Sequence, residues 1–312
     1  MSKSEKQLDI RVNNQYRLLR RLGSGGFGVV YEGIDVMTSQ RVALKLEHIR
    51  SEHSESLQNE IDIYKKLAGS AGIPKLYWDG DECDYNVMVF ELLGPNLEDL
   101  FNYCGRRFSL RTVLLLADQL IRRFQYIHSK GFLHRDIKPA NLLMGHGTRG
   151  NIVYITDMGL AKESTDVAAA RHGRQLEGPV LGTARYASIN AHRGVEQSPA
   201  DDMEALGYVF VYFLQQGNLP WMGLPAKSGS EKELAILRKK QSTSPEELCD
   251  SLPDEFVKYF NHIKTSCDND RGVDYKYLLR LFRSLFQRHG FEYDNVYDWT
   301  VLKYMEYQEK CA

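Results

Sequence analysis

Beyond Gly94-Pro95 the hydrophobic pattern of this chain turns helical, and that change limits the architectures open to it. Before it the pattern favours strands. Residues 16–22 have strand length, glycines at 23, 25, 26 and 28 interrupt them, and residues 29–31 and 41–46 read as the next two strands. Residues 56–67 read as a helix, because Leu57, Ile61, Tyr64 and Leu67 share one face, with Gly69 placed to stop it. Residues 87–90 form a short apolar run expected as a buried strand. Past Pro95 the period becomes helical. Ser109 can cap a helix with Val113, Leu116, Leu120, Phe124 and Ile127 on its apolar face, and Gly131 lies beyond its end. Residues 203–214 are almost all apolar or aromatic, and a helix apolar all round belongs at the centre of its lobe. Pro245-Glu246-Glu247 and Pro253-Asp254-Glu255 look like helix first turns. The expectation is an α+β chain with a small β-rich lobe over about 14–91, a hinge near 91–94 and a larger, mainly α-helical lobe over about 95–302. A flexible arm (1–13) precedes this domain and a short extension (303–312) follows it.

Four segments stand in order on this frame. They are Gly23-Ser24-Gly25-Gly26-Phe27-Gly28, then Val42-Ala43-Leu44-Lys45, then His134-Arg135-Asp136-Ile137-Lys138-Pro139-Ala140-Asn141, then Asp157-Met158-Gly159. Glycines between strands let a backbone close over phosphate oxygens, with no Cβ in the way. Taken alone they would equally make a glycine-rich hairpin. Lys45 ends an apolar run, and a lysine on a buried strand needs an anion. ATP phosphates and Glu60 are both candidates, against a lysine that only snorkels from the strand end. Asp136 would orient a hydroxyl and accept its proton, and Lys138 would neutralise charge on a phosphoryl group in transfer. Asn141 and Asp157 offer hard oxygens to Mg²⁺. A polar turn built on Asp136 and Asn141 is the plain alternative. It does not account for Asp, Lys, Asn and Asp-x-Gly at these spacings. Together the segments supply what is needed to move the terminal phosphate of ATP onto a hydroxyl, with ATP and Mg²⁺ in the cleft between the lobes.

Composition excludes other classes. A net charge of −1 argues against bulk attraction to nucleic acid. The five cysteines are scattered without CxxC spacing, so neither a zinc site nor a disulfide framework is suggested. A reducing compartment fits, cytoplasmic or also nuclear. Residues 1–9 lack the apolar core of a signal peptide, and no stretch has the apolar length to span a bilayer. Nothing supports a stable oligomer, so a monomer is expected.

Three further segments carry a family resemblance. Residues 182–190 read Gly-Thr-Ala-Arg-Tyr-Ala-Ser-Ile-Asn where kinases usually have Ala-Pro-Glu. Residues 91–100 read Glu-Leu-Leu-Gly-Pro-Asn-Leu-Glu-Asp-Leu, and residues 201–208 read Asp-Asp-Met-Glu-Ala-Leu-Gly-Tyr. With them the chain, from about residue 14 to 302, resembles the casein kinase I family of Ser/Thr protein kinases. Tau-tubulin kinases and vaccinia-related kinases are similar but fit the hinge and Ser188-Ile189-Asn190 less well.

The resemblance implies a two-lobed protein-kinase fold and several residue roles. Glu60 matches the helix glutamate that pairs with Lys45. The loop from Gly23 to Gly28, with Ser24, Gly25, Gly26 and Phe27, would cover the phosphates. Leu22, Val30, Ala43 and Leu143 would sandwich the adenine, and the Glu91 and Leu93 backbone would bond its edge. Phe90 holds the gatekeeper position, where the family often has Met. Asp202 would brace the catalytic loop and Thr183 would meet Lys138. Substrates in this family are acidic or already phosphorylated, and Arg185 and Lys232 match two of its anion-binding positions. Lys232 equally reads as a solvated surface lysine.

The departures are Met158 in place of Phe, Ala140 in place of Asp, and no basic residues at 175–180 or at Gly229-Ser230. The last two suggest a weaker, less phosphate-dependent preference. A pseudokinase scaffold is the competing reading. It would be expected to lose at least one of Lys45, Glu60, Asp136, Lys138, Asn141 and Asp157, and all are present.

Overall fold

Residues 9–25, 28–50, 54–163, 181–268 and 272–311 are described by a computed structural model of the chain. They divide into two units. One gathers the chain up to Gly94 together with Asp157–Gly159, and the other holds Pro95–Thr156 and the chain from Leu160 onward. The expected α+β, two-lobed kinase architecture is present, as a small sheet-based unit and a larger, mostly helical one.

The first unit is built on strands β1 (Arg11–Val12), β2 (Tyr16–Gly25), β3 (Gly28–Asp35) and β4 (Arg41–His48), helix α1 (Ser54–Leu67), and strands β5 (Leu76–Glu82) and β6 (Tyr85–Glu91). The strands pair antiparallel in the order β1-β2-β3-β4-β6-β5. Glycines 23 and 25 do not interrupt β2, contrary to the expectation. The ladder runs through Gly23↔Val30 to Gly25↔Gly28, with register shifts between Leu18/Arg20 and Arg21/Gly23. An adjacent partner strand satisfies the backbone polar groups there, and this outweighs the weak strand preference of glycine. β5 escaped the sequence reading. It is a half-buried edge strand, Leu-Tyr-Trp-Asp-Gly-Asp-Glu, without an apolar run.

The sheet has two faces because strand side chains alternate. Val42, Leu44, Val87 and Val89 share one, in a core cluster with Val12 and Tyr16. Cross-strand partners lie on the same side, so the register Val30↔Lys45↔Met88 and Ala43↔Phe90 puts Val30, Ala43, Lys45, Met88 and Phe90 on the other. α1 buries Leu57, Ile61, Tyr64 and Leu67, the face read from the sequence, and Gly69 beyond it has φ +89°.

The second unit contains α2 (Leu97–Tyr103), α3 (Leu110–Ser129), β7 (Phe132–Leu133), β8 (Leu142–Met144), β9 (Val153–Ile155) and β10 (Lys162–Glu163). After these come α4 (Ile189–His192), α5 (Pro199–Leu214), α6 (Gly229–Ser242), α7 (Pro245–Leu248), α8 (Asp254–Asp268), α9 (Tyr275–Arg288) and α10 (Asp298–Cys311). β7 pairs with β10, and β8 with β9. Ser109 caps α3 as read, accepting from the Thr112 N–H at 3.2 Å, and its five predicted apolar positions are all buried. α5 is the buried axis of the unit. Where α8 crosses it, a Cβ on Gly207 would come within 2.8 Å of the Phe260 and Tyr259 rings. The turn at Pro245 makes only the four-residue α7, whereas the one at Pro253 opens the fifteen-residue α8. No described helix is long and apolar enough to cross a membrane.

Candidate active site

In the first unit three ionisable groups converge. β4 carries Lys45 on the sheet face opposite the core cluster, and α1 turns Glu60 inward beside Leu57 and Ile61. Lys45 Nζ lies 2.6 Å from Glu60 Oε2 and 3.4 Å from Asp157 Oδ1. Glu60 Oε1 accepts the Met158 N–H at 3.2 Å, and the Asp157 N–H donates to Tyr64 Oη at 3.2 Å. Met158 is fully buried. Burial works against charge on Lys45, but the carboxylates of Glu60 and Asp157 outweigh it and raise the ammonium's pKa. Burial likewise raises the Glu60 carboxyl, while Lys45 and the Met158 N–H pull it back. Of the two candidate partners of Lys45, Glu60 engages it directly.

The proposed nucleotide-contacting residues of this unit fall on the same sheet. Val30, Ala43 and Phe90 share the Lys45 face, with Phe90 directly opposite Ala43. Leu22 and Gly23 are exposed, and Ser24 pairs with Val29 at the hairpin end. Gly28 has φ +112°, and a Cβ there would collide with the Leu46 carbonyl, so only glycine suits the position. Gly26 and Phe27 lie outside the described residues, as do residues 175–180. The Glu91 N–H donates to the Lys75 carbonyl at 2.8 Å, and Leu93 follows in chain without ladder bonds.

In the second unit a denser cluster forms around Asp136. Its Oδ1 accepts both the Thr183 N–H and the Thr183 hydroxyl at 2.9 Å. Its Oδ2 accepts from Lys138 Nζ at 2.5 Å and from Asn141 Nδ2 at 3.3 Å. Asn141 Nδ2 also donates to the Asp136 carbonyl at 2.9 Å, which fixes the amide and leaves its oxygen as the outward end. Burial pushes the Asp136 carboxyl up, but Lys138 and Thr183 win and hold it below the usual carboxylate range. Leu143 follows on β8, half-buried and paired with Tyr154.

The loop owes its shape to Asp202, in the first turn of α5. Its carboxylate accepts the N–H groups of His134 at 2.8 Å and Arg135 at 2.9 Å. His128 Nε2 lies 2.8 Å from the same carboxylate. Burial opposes ionisation of Asp202, yet these partners depress its pKa. Arg135 takes φ +66°, a left-handed conformation that the two anchored N–H groups impose. Gly182 has φ +86°, and a Cβ there would stand 2.5 Å from the Arg135 carbonyl oxygen. Glycine is what lets Thr183 approach Asp136.

The two predicted anion-binding residues differ. Arg185 is half-buried, with its guanidinium 5.7 Å from both the Tyr186 and Tyr212 ring centres and its carbonyl bonded to Trp221 Nε1 at 2.8 Å. Lys232 is exposed on α6 and has no ion pair among the described residues. Sequence reasoning missed Tyr64, His128 and Lys240. Tyr64 and His128 sit within amphipathic helices, and Lys240 stands in a Lys239-Lys240 run that reads as solvated. Lys240 is nonetheless buried, donating to the carbonyls of Ala184 at 3.0 Å and Ala187 at 2.5 Å.

The donor set suits magnesium. In the first unit Asp157 offers a carboxylate, and in the second unit Asn141 offers an amide oxygen. Among the described residues no group of three or more His, Cys, Asp or Glu is gathered to hold a metal. Magnesium tolerates so few protein oxygens because it keeps waters and uses substrate phosphates. The family model for the protein kinase domain matches residues 16–272 of the chain.

Proposed function

The chain belongs to the protein kinase family, and we propose that within it this is an active Ser/Thr kinase of casein kinase I type. It would transfer the ATP γ-phosphate to Ser or Thr in acidic or phosphorylated protein segments. The observation that carries the reading is the Asp136 carboxylate held on one oxygen by Thr183 and on the other by Lys138. A base so held keeps its charge and a fixed direction. Asp136 orients the substrate hydroxyl and takes its proton as the new P–O bond forms, and Lys138 offsets charge on the phosphoryl oxygens. Lys45, kept cationic by Glu60, holds ATP phosphates under the loop of residues 23–28. Val30, Ala43, Leu22 and Leu143 flank the adenine, and the Glu91 and Leu93 backbone binds its edge. Mg²⁺, held by Asp157 and Asn141, would supply charge neutralisation at the phosphates.

Two features support the finer family assignment. The segment 182–190 stands in place of Ala-Pro-Glu, with Ser188 capping α4 and bonded to Asp201 at 2.7 Å. Arg185 in that segment, with Lys232, would receive the substrate anion. The missing neighbouring basic residues favour unphosphorylated acidic substrates over strict priming.

The test is transfer of labelled phosphate from Mg·ATP to casein, with Asp136→Asn as control. Wild type should label casein. The variant should bind ATP normally in calorimetry but transfer nothing. Absence of transfer by wild type that still binds Mg·ATP would establish the scaffold reading instead. Paired acidic and primed peptides test specificity, and a hundredfold preference for priming, about 2.7 kcal/mol, would contradict the weak-priming assignment.

A further inference from the structure

A cavity of about 330 Å³ opens in the helical unit among α4, α5, α6, α7 and α8, and the phosphotransfer reading does not use it. Its size lies in the range of pockets for small organic molecules. Leu248, Phe260 and Ile263 supply buried apolar wall. Among its charged side chains, bases outnumber acids. Arg193, Lys240 and Lys264 stand against a single carboxyl, that of Glu204. Lys240 is occupied by the Ala184 and Ala187 carbonyls and by the Tyr208 and Trp221 rings, 4.8 and 4.9 Å from its Nζ. Arg193 and Lys264 are exposed at the rim, with Glu246 near enough to Lys264 to feel its charge. Gln241 lines the same cavity beside Arg193.

Glu204 adds one carboxyl to the lining. Both hydrogen bonds to Glu204, from the Ile189 N–H at 2.9 Å and Tyr208 Oη at 2.6 Å, reach Oε1. Oε2 has no hydrogen bond among the described residues. Burial, then the neighbouring Asp201, raises this carboxyl to about 7. The cavity thus sets an apolar wall beside two exposed cations.

The geometry points to a binding site for a small amphipathic anion. Its phosphate or carboxylate head would lie on Arg193 and Lys264, and its alkyl or aryl body on Leu248, Phe260 and Ile263. The charged head selects against neutral apolar compounds, and the volume limits the ligand to a small molecule.

The probe is octyl phosphate below its micelle concentration, titrated calorimetrically into the full chain, with octanol as the uncharged control. Saturable one-site binding is expected, unchanged when Mg·ATP is present in excess. Arg193→Glu combined with Lys264→Glu should weaken binding at least tenfold. Gln241→Trp, an exposed change that fills the mouth, should abolish it without lowering the melting temperature. The assignment is overturned by no saturable binding up to 1 mM (about 4 kcal/mol). It is also overturned by displacement with Mg·ATP, by equal binding of octanol, or by binding indifferent to both variants. None of these outcomes depends on whether the chain transfers phosphate.

Discussion

Thr183 reaches Asp136 twice, through its N–H and its hydroxyl, and both bonds end on the carboxylate oxygen that Lys138 leaves alone. The segment 182–190 is therefore a direct partner of the proposed base. Lys240 fixes the same segment further along, at Ala184 and Ala187.

Thr183→Ala removes one of the two donors and leaves the N–H. Hydrogen bonds to charged groups contribute about 1.5–3 kcal/mol, so kcat should fall roughly 10- to 100-fold with KM for ATP nearly unchanged. Thr183→Ser should restore it. Thr183 also helps depress the Asp136 pKa, so the acid limb of the kcat/KM profile should move to higher pH in the alanine variant. Steady-state kinetics across pH reads both effects. A kcat within twofold of wild type would show that the N–H suffices.

Gly182→Ala places a Cβ 2.5 Å from the Arg135 carbonyl at a backbone angle of φ +86°. The left-handed conformation alone costs an L-residue about 1–2 kcal/mol. Turnover should drop by more than in Thr183→Ala, because both bonds to Asp136 are displaced. The melting temperature should fall, while ATP affinity by calorimetry stays near wild type.

His192 should make the fold acid-sensitive. Burial, then the charge of Lys240, lowers its pKa from 6.5 to about 4. The folded value is depressed, so its contribution is complete above pH 6.5 and is lost as pH falls towards 4. In that window the unfolded chain takes a proton that the fold refuses. Glu204, with its raised pKa, acts in the opposite sense, since its contribution is lost as pH rises towards about 7. Comparing wild type with His192→Gln isolates the imidazole. The melting temperature of the variant should decline less between pH 6.5 and 4, and parallel curves would remove His192 from the account.

Phe90 stands opposite Ala43 on the Lys45 face of the sheet. If adenine binds on this face as proposed, a stiff aromatic there would narrow the space behind it, and Phe90→Ala should open it. ATP-competitive inhibitors with a bulky group directed past the gatekeeper should gain at least tenfold in potency on the variant. Equal inhibition constants would defeat the prediction.

The α+β division could be read because its signals are local. Leu57, Ile61, Tyr64 and Leu67 bury as one helical face, and the apolar run of α5 becomes the axis of its unit. β5 and the continuation of β2 through Gly23 were not legible, since both are held by ladder bonds to a neighbouring strand and not by a hydrophobic pattern of their own. At the candidate site, Asp136, Lys138, Asn141 and Thr183 do come together, and so do Lys45, Glu60 and Asp157. His128 and Lys240 stayed hidden. What distinguishes them is burial beside a carboxylate or two carbonyls, which residue type and spacing do not encode.

Asp202 hangs the backbone of His134 and Arg135 from the first turn of α5, whose remaining length is packed among aromatic rings. The loop thus has little freedom to loosen while that axis stays intact. On slow heating, loss of turnover and the calorimetric unfolding peak of the helical unit should coincide, with no earlier, silent phase of inactivation.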